Sequence, residues 1–138
     1  MSASGDLIAA AVAAFGKAYA PYSRFAVGVA VRDELGQLHA GCNVENAAYP
    51  VGTCAEAGAI AAMVLAGGRR VMEAAVVGAG AELVTPCGGC RQRLREFGAP
   101  DMPVHICDDT GRLRRTFTLA ELLPASFGPE NLGVGAKP

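Results

Sequence analysis

The sequence predicts an α/β fold: a three-layer α/β/α sandwich around a five-stranded mixed sheet, with the last two strands antiparallel. Two observations carry this expectation. Helix-like and strand-like segments follow one another in the order α-β-β-α-β-α-β-β-α, the pattern expected when helices cover both faces of one sheet. The last two strand-like runs are separated only by a short stretch around Asp108-Asp109-Thr110-Gly111. A parallel pair needs a crossover of about a dozen residues, so these two strands must form a hairpin.

Each element has a local reason. Ser4 is placed to cap a helix over residues 5–19, which Pro21 stops. Residues 25–33 and 37–44 read as strands joined by the turn Glu34-Leu35-Gly36. Residues 43–53 form a polar loop containing Gly and Pro. The Ala-rich run 54–65 reads as a buried helix ended by Gly67-Gly68. Residues 72–78 form a short apolar strand, and 87–97 a further helix after Pro86. Strands follow at 104–107 and 113–117. Thr118, with Glu121 three residues on, predicts a capping box for a last short helix ended by Pro124.

Length and composition narrow the class. A chain of 138 residues fits a single domain, 1–138. Hydrophobic residues make up 51%, beside 18 Gly, which is apolar for so small a chain and predicts a subunit interface. Net charge is −1, which argues against a nucleic-acid partner; Arg112, Arg114 and Arg115 read as a solvated strand face. Five cysteines, an odd number, argue against a disulfide framework and for metal or redox chemistry in a reducing, cytoplasmic compartment. The apolar run 7–15 has no basic residue before it and Asp6 at its edge, so a signal peptide is not expected. No stretch has the length and apolarity of a membrane span.

The chemistry concentrates in Cys54-Ala55-Glu56 and Pro86-Cys87-Gly88-Gly89-Cys90. Cys54, Cys87 and Cys90 offer three thiolates to one Zn²⁺ and leave a fourth position for water, as catalytic zinc sites do. Both segments open helices, whose N-terminal N–H groups and partial positive charge favour thiolates. Cys87 and Cys90, three apart, share a helix face. Glu56 is too close to Cys54 to be a comfortable second ligand and is placed to move protons to and from the water. A redox dithiol would leave Cys54-Ala55-Glu56 without a purpose. A structural zinc would need a fourth ligand, and Cys42, Cys107, His39 and His105 all fall in strand patterns.

These residues resemble the small homotetrameric cytidine deaminases, and the resemblance spans nearly the whole chain. It is carried by Tyr19-Ala20-Pro21-Tyr22-Ser23-Arg24-Phe25, Val27-Gly28, Gly41 through Tyr49 with its Asn43-Val44-Glu45, the two zinc motifs with Arg91-Gln92, and Leu122 through Phe127. The cysteine–glutamate pattern alone marks the wider class of zinc deaminases. Asn43-Val44-Glu45 points to a free nucleoside. The resemblance implies that Cys54, Cys87 and Cys90 hold zinc and that Glu56 shuttles protons and bonds the pyrimidine ring. It implies that Asn43 and Glu45 bind the ribose hydroxyls, that Phe25 packs beside the nucleoside, and that the Ala55 backbone holds the base. Ala47 and Tyr49 would come from a neighbouring subunit of a homotetramer, and Phe127 would stack on the base from another.

The implied reaction is hydrolysis of cytidine and 2′-deoxycytidine to uridine and 2′-deoxyuridine plus ammonia. One position departs from the family. Its usual arginine after Cys-Ala-Glu, which bonds the thiolates, is replaced by Ala57, and Arg91 is the expected substitute for the missing charge. Two other readings compete: a deaminase of a cytosine-nucleoside antibiotic, and a non-catalytic zinc-binding or ligand-sensing module. Phe25, Asn43 and Glu45 oppose the first, and Glu56 opposes the second. A polynucleotide deaminase is disfavoured because the final hairpin leaves no room for the extra helix that those enzymes carry.

Overall fold

The computed structural model describes residues 4–134. Helix α1 (Gly5–Phe15) is followed by β1 (Val27–Asp33), β2 (Leu38–Cys42), α2 (Ala55–Leu65), β3 (Val71–Gly78), α3 (Gly88–Phe97), β4 (Pro103–Cys107), β5 (Leu113–Thr118) and α4 (Leu119–Leu122). Two single 3₁₀ turns lie at Tyr49–Val51 and Pro129–Leu132. The strands form one sheet in the order β2-β1-β3-β4-β5. Only β3 and β4 run parallel, across the α3 crossover; the β4–β5 pair is antiparallel, as its short connection requires.

Strand alternation sorts the core into two layers. Val29 and Val31 of β1 and Val76 of β3 face α2 and α3, and pack with Ala59, Met63 and Leu94. Ala30, Ala75 and Val77 face the other way and meet Leu7 and Ala11 of α1. Two glycines set how closely helices approach. A Cβ at Gly28 would lie 2.3 Å from the Ala11 carbonyl oxygen, and one at Gly41 2.4 Å from the Ala59 nitrogen. Gly41 thus lets the N-terminal half of α2 press onto β2.

Two expectations need correction near the N-terminus. The first helix stops at Phe15, not at residue 19, because the Tyr19 backbone is used elsewhere. Its N–H donates to the Asn43 carbonyl, and its carbonyl accepts from the Glu45 N–H. Ser4 makes no side-chain cap; its hydroxyl bonds Glu73 beneath the helix instead. His39 and His105 are strand residues as expected, and each has a carboxylate partner: Asp33 at 2.8 Å and Glu73 at 2.6 Å. Cys107 is buried, whereas Cys42 is only half-buried. The Thr118–Glu121 capping box forms as the sequence predicts.

Candidate metal centre and substrate cavity

The two metal-binding segments converge because both helices start at the same end of the sheet. Cys54 is the N-cap of α2 and Cys87 the N-cap of α3, each with extended backbone. Cys90 follows in the first turn of α3 and is fully buried. The three sulfurs lie within 4.8 Å of one another, and Cys54 Sγ is 3.9 Å from Cys87 Sγ. Tetrahedral Zn–S bonds of about 2.3 Å place sulfurs about 3.8 Å apart, so this donor set fits zinc with one position left over.

The electrostatics are uneven. Burial pushes the Cys54 thiol up. The Cys90 N–H bonded to Cys87 Sγ draws that thiol below its ordinary value. Burial, followed by the nearby Glu56 charge, pushes Cys90 up. Glu56 sits in the first turn of α2 and is only 4% exposed. Burial raises its carboxyl above the ordinary glutamate range, against weaker opposing pulls that include the charge of Arg93. Such a carboxyl is suited to both taking and giving a proton.

A cavity of about 330 Å³ opens beside the cysteines, within the size range of small-molecule sites. Phe25, Asn43, Glu45, Tyr49, Cys54, Ala55, Glu56 and Cys87 all line it. Asn43 acts as an extra rung between the ends of β1 and β2. Its Oδ1 accepts from the Val27 N–H at 2.9 Å, and its Nδ2 donates to the Phe25 carbonyl at 2.8 Å. This is why β1 begins at Val27 and leaves Phe25 outside the ladder, at the cavity wall. Glu45 Oε1 accepts from the Tyr22 and Ser23 N–H groups at 2.9 and 3.1 Å, and Oε2 accepts from the Ser23 hydroxyl. These bonds hold a turn in which Arg24 adopts a left-handed φ of 61°. They lower the Glu45 carboxyl, the Ser23 hydroxyl having the largest effect. Asn43 keeps one free N–H, and the Glu45 carboxylate keeps a lone pair.

Ala47 and Phe127, expected at a neighbour's site, are not part of this chain's cavity wall, whereas Tyr49, expected at a neighbour's site too, lines it. Arg91, the expected substitute for the arginine missing at position 57, donates instead to the Pro86 and Leu122 carbonyls at 2.7 and 2.8 Å and to Thr85 Oγ1 at 3.1 Å. The guanidinium that touches a sulfur belongs to Arg93, whose Nη1 is 3.5 Å from Cys90 Sγ. The sequence reading also missed Val27, Thr53, Val84 and Thr85 in the wall. The last two immediately precede Pro86-Cys87, and that adjacency was the available signal.

Comparison with known proteins agrees with this geometry. The family model for the cytidine and deoxycytidylate deaminase zinc-binding region matches residues 1–106. The chain belongs to the small zinc-dependent cytidine deaminase family. Within that family, a cytidine deaminase of Sporosarcina psychrophila is 42% identical over 131 residues, 95% of this chain and 96% of its own. One from Mycobacterium tuberculosis is 42% identical over 115 residues, 83% of this chain and 82% of its own. The crystal structure of the cytidine deaminase from Burkholderia pseudomallei superposes with a TM-score of 0.82 at 43% identity, covering 88% of this chain and 97% of that one.

Proposed function

We propose that this protein catalyses the hydrolytic deamination of cytidine and 2′-deoxycytidine, releasing ammonia and the corresponding uridine, in pyrimidine salvage. The observation that carries the reading is the juxtaposition of a three-sulfur zinc site with a buried carboxylate on the wall of a nucleoside-sized cavity. Cys54, Cys87 and Cys90 would hold zinc, which would supply an activated water. Glu56 takes a proton of that water and passes it to ring N3 as the water oxygen bonds to C4; it then delivers the second proton to the exocyclic nitrogen, whose bond to C4 breaks to release ammonia. Asn43 and Glu45 direct their remaining hydrogen-bonding capacity to the ribose hydroxyls. Phe25 gives the nucleoside an apolar wall, and the Ala55 backbone at the α2 N-terminus holds the base.

The finer assembly reading is a homotetramer of one-domain subunits. Tyr49 and Phe127 are 74% and 56% exposed, and Tyr19, Tyr22 and Phe25 are each about half exposed. Of these, Phe25 and Tyr49 line the cavity, and exposed aromatic surface of this extent is the character of an interface core. In this reading Ala47 and Tyr49 of one subunit, and Phe127 of another, complete a neighbour's site. No helix among the described residues is long and apolar enough to cross a membrane. A set of unpaired thiols suits a cytoplasmic setting, and the net charge of −1 disfavours nucleic acid as a partner.

The direct test follows the fall in absorbance as cytidine becomes uridine, with and without a strong zinc chelator. Chelator-sensitive turnover of cytidine and deoxycytidine is expected, with cytosine a poor substrate. Equal turnover of free cytosine would remove the ribose-binding assignment. Exclusive turnover of a cytosine-nucleoside antibiotic would replace the salvage role.

A further inference from the structure

Zn²⁺ bound by three thiolates carries a net −1, and the Glu56 carboxylate adds a second negative charge beside it. A group of like charges that includes the buried Cys90 and Glu56 needs a nearby cation, or both metal affinity and charge distribution suffer. Helix N-termini contribute partial charge only. Arg91, adjacent to Cys90 in the chain, is committed to two carbonyls and a hydroxyl. Arg93 stands one helical turn beyond Cys90, so the two share a face of α3. Its Nη1 lies 3.5 Å from Cys90 Sγ, and its charge also acts on Glu56.

We infer that Arg93 is a positioning residue of the metal centre: its guanidinium donates to the Cys90 sulfur and supplies the positive charge that the three-thiolate set lacks. This rests on the zinc-site reading above. Arg93 needs no role in folding, because its side chain lies on an exposed position of α3. The distance suits a charge-assisted N–H···S bond, which draws electron density from the sulfur without displacing it as a ligand. Partners that bond metal ligands in this way are typically worth about 10–100-fold in metal affinity.

The test compares the zinc-loaded protein with Arg93→Met, Arg93→Lys and, as a control, Arg70→Met. Arg70 loses the same charge beyond the far end of α2, a helix of 11 residues or about 16 Å. Zinc dissociation constants are measured by competition with a chromophoric chelator. The sulfur-to-metal charge-transfer band is recorded after Co²⁺ replaces zinc. Arg93→Met is expected to weaken zinc by about tenfold or more and to move the Co²⁺ band to lower energy, because the sulfur regains its electron density. Arg93→Lys should recover most of both effects, and Arg70→Met should change neither. A folded Arg93→Met protein with zinc affinity within twofold of the parent and an unmoved band would overturn the assignment, as would equal losses in Arg70→Met. Failure of the unsubstituted protein to bind one zinc would instead overturn the zinc-site reading and this inference with it.

Discussion

At the metal end of the cavity Cys90 is fully buried and Glu56 is 4% exposed, whereas at the mouth Tyr49 and Phe25 are 74% and 49% exposed. The metal end is assembled from two helix starts in one chain, with sulfurs at bonding separation. The mouth is assembled from loops: the turn fixed by Glu45 and the Asn43–Thr53 segment. One region is finished by folding, and the other presents aromatic surface that folding leaves uncovered. Chemistry and substrate enclosure are therefore separable, and changes at one end should leave the other measurably intact.

The largest expected effect lies at the metal end. Glu56→Gln keeps the shape of the side chain but cannot accept a proton, so kcat should fall by on the order of 10²–10⁴ or more. Zinc content and substrate affinity should persist. The same substitution has a stability signature with a definite sign. The folded-state carboxyl is raised by burial. The unfolded chain therefore ionises first, and the metal-free protein loses stability as pH rises from the ordinary glutamate range through the raised one. Glu56→Gln should abolish that loss and melt higher at neutral pH. Thermal melts of the metal-free pair across pH 4–8, superimposable within error, would show that Glu56 is not strained by its burial.

How much of this was legible in the sequence follows the same division. The metal end is local: a Cys-x-Glu and a Cys-x-x-Cys at helix starts fix their own geometry through helical spacing. Even there, one reading chose chain adjacency over helix geometry. Arg91 adjoins Cys90 but points to Pro86 and Leu122, whereas Arg93, three residues on, shares the Cys90 face. Applying the i, i+3 rule to the charge as well as to the ligands would have found it. The mouth depends on long-range pairing that local patterns do not carry. The early end of α1 at Phe15 goes with Tyr19 pairing with the Asn43–Glu45 segment; the local signal is the C-cap glycine, Gly16, while the pairing itself is long-range. Val84 and Thr85 have no chemical signature of their own; only their adjacency to Pro86-Cys87 points to the wall.

An intermediate effect is expected where the two regions meet. Glu45 holds the Tyr22–Phe25 turn and, in the proposed function, also offers a lone pair to the ribose. Losing a hydrogen bond to a charged group costs roughly 1.5–3 kcal/mol, or about one to two decades in kcat/KM. Glu45→Ala should lose this for cytidine while retaining zinc. Ser23→Ala removes one bond to Glu45 and should cost less. If Glu45→Ala also released the metal, mouth and metal end would not be separable in the way proposed.

The smallest and most specific effect concerns Phe127. Its carbonyl accepts from Gln92 Nε2 at 2.9 Å, and the preceding Ser126 hydroxyl accepts from Arg95 Nε at 2.7 Å. The tail is thus fastened to α3, the helix that carries Cys90, yet the ring stays half exposed and away from its own chain's cavity wall. An exposed ring on a backbone fastened in this way is suited to covering a neighbour's site. Stacking of one aromatic ring is worth about 0.5–1.5 kcal/mol, so Phe127→Ala should raise KM by roughly two- to tenfold with little change in kcat. Cys87→Ala should lose zinc and activity. Neither variant alone has a low-KM active site. If the proposed shared site holds, mixed assemblies should regain some, because a zinc-bearing Phe127→Ala subunit can be covered by the ring of a Cys87→Ala neighbour. The measurement is the appearance of a low-KM component after subunit exchange, with exchange itself verified by mass-tagged subunits. Verified exchange without that component would place the ring outside the neighbour's site. A fully active monomer in sedimentation at assay concentration would make the mouth, like the metal end, the work of one chain.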